Sequence, residues 1–541
     1  MNERYIQQKI MKKFSKYIIG AGLALVALTT ACSEQDNELT AVEYARFFAP
    51  FGLEAKVNNN INVRLSWTPI EGATSYDIEI FQDDSLTFAG TPIRTYTGLT
   101  NSNIPYDVKE LMGDTRYSAR FKAHGEGRPE SKWNGVYFKT DPEQLLSKVT
   151  EDDLTYSSAT FTWKANKQVT GMVLNPGDIR HTFTAEELKT CTATVGKLQG
   201  NTKYTARLVN GDKNCGEHSF TTLIDPATAI LVSEGGKSLQ EAIDEATQNL
   251  NLILVRAGTY ELTDINIDKD VRIVGERMNN RPVIKGSNFK LNGGSVEMRN
   301  VILDGDYTKN HAFDYKKEAT YSALHVENCE IRNFDKGLFY INTASLVKSI
   351  TFDNCMIHDV KCNGADFMDS RKGAYKALDF INNTVYNSCA DRDFVRYDNA
   401  TKTFPDVMSQ INVSNNTLVG ISNNPSKRIM YVRFATEQKE ENGVKTTFKH
   451  SIKFMNNIVT NTAGYFSKQS QTNSAPTFGN NNYFRAANAG TIEVTVDGIA
   501  QVVAKDGGKT LDPKFRDESN GDFTVTNENV KINKVGAPQW L

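Results

Sequence analysis

Six segments decide the fold: Val296-Glu297-Met298-Arg299-Asn300, Leu324-His325-Val326-Glu327-Asn328, Ile350-Thr351-Phe352-Asp353-Asn354, Leu378-Asp379-Phe380-Ile381-Asn382, Ile411-Asn412-Val413-Ser414-Asn415 and Ile452-Lys453-Phe454-Met455-Asn456. Each reads apolar, x, apolar, x, Asn, with another apolar residue two or three places on. The Asn positions lie 28, 26, 28, 33 and 41 residues apart, and Asn480 adds a further 24. Alternation marks short strands, and a repeat of this length matches one turn of a solenoid. Neighbouring turns would stack ~4.8 Å apart, placing equivalent side chains in columns. Asn accepts the left-handed conformation between two strands and can hydrogen-bond the amide of the next turn. The Asn column therefore reads as a structural ladder and not as a ligand site. The two long repeats carry insertions at 401–408 and 437–449, which such repeats place on one face.

Upstream of the repeats, Ser238 can cap a short helix with Leu239, Ala242, Ile243 and Ala246 on one side. Leu252-Ile253-Leu254-Val255, Ala257-Gly258-Thr259-Tyr260 and Val271-Arg272-Ile273-Val274-Gly275 follow. Helix, apolar strand, Gly-Thr-Tyr and a strand ending in Gly resemble the capped entrance of pectin-lyase-like right-handed parallel β-helices. That solenoid is assigned 224–505. Residues 506–541 should close its open end with strands. Their terminus, Gly536-Ala537-Pro538-Gln539-Trp540, resembles the closing Gly-x-Pro-x-Trp of uncharacterised β-helix lipoproteins of the Bacteroidetes type.

Before residue 224 the texture is that of antiparallel sandwiches. Val63-Arg64-Leu65-Ser66-Trp67 and Tyr76-Asp77-Ile78-Glu79-Ile80 alternate around the turn at Glu71-Gly72-Ala73. Thr115-Arg116-Tyr117 places a Tyr at a later strand entry, and Phe161-Thr162-Trp163 with Thr202-Lys203-Tyr204 repeats the plan. Both stretches, 43–141 and 144–223, resemble fibronectin type III domains, with an early-strand Trp and a tyrosine corner. The fold class expected is all-β: two β-sandwiches followed by a right-handed parallel β-helix.

Composition bounds the rest. The 541 residues are 39% hydrophobic and 23% charged, with 37 Gly and 14 Pro, which excludes disordered, collagenous and polytopic membrane classes. Lys plus Arg number 62 against 64 acidic residues, for a net charge of −2, and no nucleic-acid partner is expected. Seven Cys are too few for a disulfide scaffold. Cys329 and Cys355 share a phase and should stack inside as small apolar groups, as free thiols or else as a disulfide; Cys191 and Cys215 could pair, which spacing leaves open. Cys362 and Cys389 fall beside turns, and the scattered His read as ordinary surface or packing residues.

The first 31 residues form a signal peptide: Lys12, Lys13 and Lys16, an apolar run from Tyr17 to Leu28, then Ala31 before Cys32. This resembles a bacterial lipobox, although Thr29 stands where an apolar residue is usual. Cys32 would carry the lipid, and the acidic tether at 32–42 resembles the export signals of Bacteroidetes-type surface lipoproteins. The resemblance implies an outer-membrane anchor facing the cell surface.

The resemblance to pectin-lyase-like β-helices implies a groove along one parallel sheet, where glycan enzymes of that fold work, so polar residues in matching turns are the candidates. Asp369, Arg371, Arg392, Asp393, Arg396, Tyr431 and Arg433 fall in three successive turns, and Lys376 and Lys468 join them. Arg takes carboxylates in a fork, and an aromatic face stacks on a sugar, which together suit a uronate-rich polysaccharide. The alternative is that Asp and Arg on stacked strands only neutralise one another. A hydrolase would need paired carboxylates, and Asp83-Asp84 and Asp152-Asp153 lie in or beside the sandwiches. A lyase would need a base and a cation at the uronate. Lys372, Lys376, Arg392 and Arg396 supply the first, and Asp366, Asp369 and Asp393 are the residues for calcium; without that chemistry no cofactor is expected. The whole resembles surface lipoproteins of polysaccharide-utilisation systems. It implies a glycan-binding protein beside neighbouring glycan-uptake proteins, with a polysaccharide lyase or an adhesive surface protein as alternatives.

Overall fold

A computed structural model describes residues 45–398, 403–433, 438–447, 450–468 and 476–541. The signal peptide, Cys32 and the tether lie outside the described residues. The chain divides into two compact units between Glu143 and Gln144.

The first unit is an antiparallel sandwich. Strands Phe51–Asn58, Asn62–Thr68 and Tyr106–Val108 form one sheet; Arg94–Leu99, Ser75–Gln82, Arg116–His124 and Asn134–Lys139 form the other. The alternation around Trp67 and Tyr76 buries one face of each strand, and the Trp67 ring packs 5.3 Å from both Tyr76 and Phe121. The Tyr117 hydroxyl accepts a hydrogen bond from Met112 N at 2.9 Å, which is the expected corner. The second sandwich pairs a four-stranded sheet with the two-stranded Thr192–Gly196/Ser158–Thr162. It repeats the corner at Tyr204, whose hydroxyl accepts from Gln199 N at 3.0 Å.

That second sandwich is tied to the solenoid by one turn, Glu151–Asp153. The Glu151 carboxylate accepts from Met278 N and Asn279 N, both at 2.8 Å, while Arg277 donates to Glu151 O at 2.7 Å and Asn279 to Asp152 at 2.8 Å. Asp152 thus serves as a joint.

From Ile230 the chain winds into three parallel sheets of ten, nine and seven strands, each full turn adding one strand to each sheet. The arrangement is a parallel β-helix. Its entrance is the helix Leu239–Glu245, with Ser238 and Glu241 forming a reciprocal cap and Leu239, Ala242 and Ile243 buried on the first turns. Inside, aliphatic and aromatic columns fill the bore without exposure.

The repeated Asn does adopt the expected conformation: φ runs 55, 55, 51, 59, 58, 55 and 51° at Asn300, Asn328, Asn354, Asn382, Asn415, Asn456 and Asn480. The continuous amide ladder, however, stands one residue on. Asn383, Asn416, Asn457 and Asn481 are fully buried. Their Oδ1 atoms accept from the backbone N of Cys355, Asn383, Asn416 and Asn457 at 2.8–3.0 Å. Their amides donate to the carbonyls of Phe352, Phe380, Val413 and Phe454. The outer Asn column is broken, since Asn354 reaches Asn328 but Asn382 turns to Asp353. The left-handed residue ends the period-2 alternation, so it is the next residue that points inward. Cys329 and Cys355 occupy that inner column below the amides and are free thiols. Cys191 and Cys215 are likewise unpaired with each other.

Residues 506–541, expected to close the end of the solenoid with strands, begin on its last turn, where Lys509 pairs with Asn482 and Asp506 accepts from Asn481. They contain the hairpin Phe515–Asp517/Asp522–Val525 and the helix Glu528–Ile532, but they then run back along the outside of the second sheet. Gly536 N donates to Asn456 O at 2.8 Å, Ala537 N to Thr417 Oγ1 at 3.1 Å, and Trp540 Nε1 to Thr384 Oγ1 at 2.7 Å. These partners sit on three successive turns, because Thr384, Thr417 and Ile458 are in register. The terminal motif is a strap. Both insertions leave the solenoid at one place, between a third-sheet strand and the next first-sheet strand; the second ends in the hairpin Gln438–Glu441/Val444–Thr447.

Candidate functional site

The third sheet gathers most of the polar candidates. Phe339, Met368, Val395 and Met430 point into the bore and are fully buried, so the residue after each faces outward. That outer row runs in register as Asn266, Lys290, Asp314, Tyr340, Asp369, Arg396 and Tyr431. A second outward position carries Asp398 beside Arg433.

At the Tyr431 end the charges are matched. Arg371 forks onto Asp369 at 3.0 and 2.8 Å, and Arg428 onto Asp393 at 3.0 and 2.9 Å. Arg396 reaches Asp366 at 3.2 Å and Asp398 at 3.5 Å, and its Nε lies 4.0 Å from Asp369. Arg433 pairs with Asp398. The guanidinium carbons of Arg428, Arg396 and Arg433 stand 4.3, 4.9 and 5.1 Å from the centre of the Tyr431 ring. This end is a lattice of four arginines and four carboxylates, with three of the arginines facing Tyr431 and Arg371 facing Tyr340. Burial pushes the Asp369 and Asp393 carboxyls above their ordinary range, while Arg371 and Arg428 pull them back.

The lattice sets Arg396, Tyr431 and Arg433, expected to face a uronate, among carboxylates of their own and adjacent turns. The terminal guanidinium nitrogens of the two arginines meet carboxylates and their guanidinium carbons face the Tyr431 ring, while the Nε atoms of Arg396 and Arg433 are buried without a hydrogen-bond partner. The carboxylates of Asp366, Asp369 and Asp393, the residues suggested for calcium, each face an arginine, and among the described residues no group of three His, Cys, Asp or Glu is placed to hold a metal ion. Lys376 does not join the row. It is an exposed residue of Ala374–Ile381, a strand of the first sheet. Lys468 lies against Tyr465 and Glu493. Lys372 is exposed in the turn after Asp369, and Arg392 is half-buried ahead of Asp393; neither makes an ion pair among the described residues.

The middle of the row holds a pair that the sequence pattern does not mark. Tyr340 lies flat on the His311 ring, 4.8 Å away and 7° from parallel, with the Arg371 guanidinium 5.7 Å from its centre. His311 is 4% exposed, and its Nε2 is buried with no hydrogen-bond partner. Burial first, then Lys336, Lys316 and Arg371, push its pKa down to about 3. Tyr340 escaped notice because Leu338-Phe339-Tyr340-Ile341 reads as a plain apolar strand. Its phase, one turn before Asp369, was the available signal.

Two family models match the chain, both described as domains of unknown function: DUF4957 over residues 258–388 and DUF5123 over 411–540. The two matches fall within the solenoid and the strap and leave 389–410 between them. Among curated proteins nothing matches. Similar solved structures include a two-domain fibronectin type III segment of chicken tenascin (18% identity, 32% of this chain and 97% of that chain, TM-score 0.24). Another is the FN1–FN3 segment of chicken CNTN1 (17% identity, 33% and 69%, TM-score 0.15).

Proposed function

We propose that this protein is a lipid-anchored surface protein whose β-helix binds an extended, acidic polysaccharide along the outer face of the third sheet. One observation carries the reading. A single outward row of polar and aromatic side chains runs the length of a parallel sheet, held flat by the arginine lattice and bordered by Lys336, Lys372 and Arg392. Four turns of such a row span roughly 14 Å, at ~4.8 Å per step, the length of a few sugar rings. Three cations without ion pairs among the described residues flank the sheet, Lys336 and Arg392 ahead of its strands and Lys372 behind one, and they suit a chain bearing carboxylates. The lattice supplies shape, and the flanking cations supply charge.

A glycan array tests the proposal when run beside an absorbance assay for unsaturated uronate. Retention of acidic glycans without unsaturated product is the expected result. Release of that product would replace binding with lyase chemistry, and retention of no glycan would leave the adhesive reading. The lyase alternative draws no support from the placement of Lys376, which stands on a different sheet from Arg396. The anchor is tested separately: Cys32→Ala should move the protein from membranes to the soluble fraction and abolish uptake of labelled palmitate. Continued membrane fractionation of that variant would remove the anchor from the proposal.

A further inference from the structure

We infer that the corner formed by His311, Lys336, Tyr340 and Arg371 is a carboxylate-binding subsite for an acidic sugar chain, an inference that rests on the glycan-binding reading above. The argument starts from the pairing of two strands. His311 is in register with Gly337, so Lys336 directly precedes the residue beside it, and Lys336 N donates to Asn310 O at 2.7 Å. A side chain at 337 would collide with the carbonyls of Asp366 and Phe367, at 2.7 and 2.9 Å, and would press on the His311 ring at 3.1 Å. Glycine therefore lets three turns close together here, and the flat stack of Tyr340 on His311 covers the joint.

Charge is then unevenly settled. Arg371 is engaged by Asp369, and Lys316 reaches Asp314 at 2.5 Å. Lys336 has no ion pair among the described residues, yet it is the foremost cation acting on His311. Lys336, Lys316 and Arg371 thus all disfavour charge on one imidazole, which lies flat against Tyr340 and whose Nε2 finds no partner. A folded protein rarely leaves a buried polar atom unmatched unless something else completes the group. An anion beside Lys336 and Arg371 would offset the cations that act on the ring. A carboxylate fits best, because Lys336 offers a point charge while Arg371 retains donors beyond those on Asp369, and the half-buried Tyr340 gives an amphipathic edge for the ring bearing the carboxylate.

The test uses the full chain, polygalacturonate, and the same polymer fully methyl-esterified. Affinity electrophoresis gives retention, and protein labelled at histidine 13Cε1 gives a separate NMR signal for His311, assigned from His311→Gln. Polygalacturonate should retain the protein at least tenfold more strongly than the ester and should move the His311 signal. Lys336→Glu should remove that preference without changing the melting temperature, since Lys336 holds no structural partner. Equal retention by acid and ester, unchanged in Lys336→Glu, would overturn the subsite while leaving glycan binding intact. Retention by acid with no movement of the His311 signal places the anion elsewhere and also overturns it. Failure of both polymers to retain the protein overturns the subsite, and the glycan array then decides the broader reading.

Discussion

Asn416 shows how much a single side chain does in this fold. Its Oδ1 takes the backbone N of Asn383, and its amide gives to Phe380 O and to Asn457 Oδ1, all within the dry bore. Replacing it with Leu strands those groups without water, a cost of about 1–3 kcal/mol. Asn415→Leu, one residue earlier on the half-buried surface, loses only an easy left-handed conformation and should cost about 1 kcal/mol. Denaturant titration of the two variants checks the difference, and equal losses would argue against the inner ladder. The sequence pattern marked Asn415 and its equivalents because they recur cleanly; the inner column is mixed, with Cys329 and Cys355 in two of its places, so it has no single-letter signature. His311 makes a second prediction. Its pKa is near 3 in the fold and about 6.5 in an unfolded chain, so between those values only the unfolded state takes up the proton. Stability attributable to His311 is therefore complete above pH ~6.5 and is lost progressively as pH falls towards 3. His311→Gln should flatten that part of a urea-midpoint profile against pH, and an unchanged slope would show that His311 titrates normally.

Among the elements, the strap over the second sheet explains its own sequence. Gly536 has φ +104°, and a Cβ there would lie 2.6 Å from Ile458 Cδ1 and 3.2 Å from Thr417 Oγ1. Gly536→Ala should therefore lift the strap, lower the melting temperature by several degrees and open Gly536–Trp540 to limited proteolysis. An unshifted melt would mean that the strap contributes little. Gly-x-Pro-x-Trp was legible as a closing motif, but not where it closes. Trp540 meets Thr384 across 156 residues, and no local pattern encodes so distant a partner. The third-sheet strands give the reverse case. Their Asp and Arg residues were found by phase alone, yet whether those groups face a ligand or one another depends on rotamers that spacing does not set.

For the molecule as a whole, the joint at Glu151 decides how the second sandwich carries the solenoid. Two backbone N–H groups and one arginine converge on this turn, so it resists bending more than a flexible tether would. Glu151→Ala combined with Asp152→Ala should leave both folds intact while raising hydrogen exchange at 276–280 and protease cutting at 223–229. Unaltered exchange there would show that the joint is held by other contacts. Domain order and class were readable from repeats, Trp positions and the capped entrance, since each depends on local periodicity. The joint was not, because Asp152-Asp153 carries no sign of what it will touch. A stack in which each turn meets only its neighbours should fray one layer at a time. The strap changes that rule for part of the stack: by bonding to Asn456, Thr417 and Thr384 it couples three layers that would otherwise melt separately. Native-state exchange should then find those layers opening together as one cooperative block with a single free energy, while the layers nearer the entrance open in a graded series.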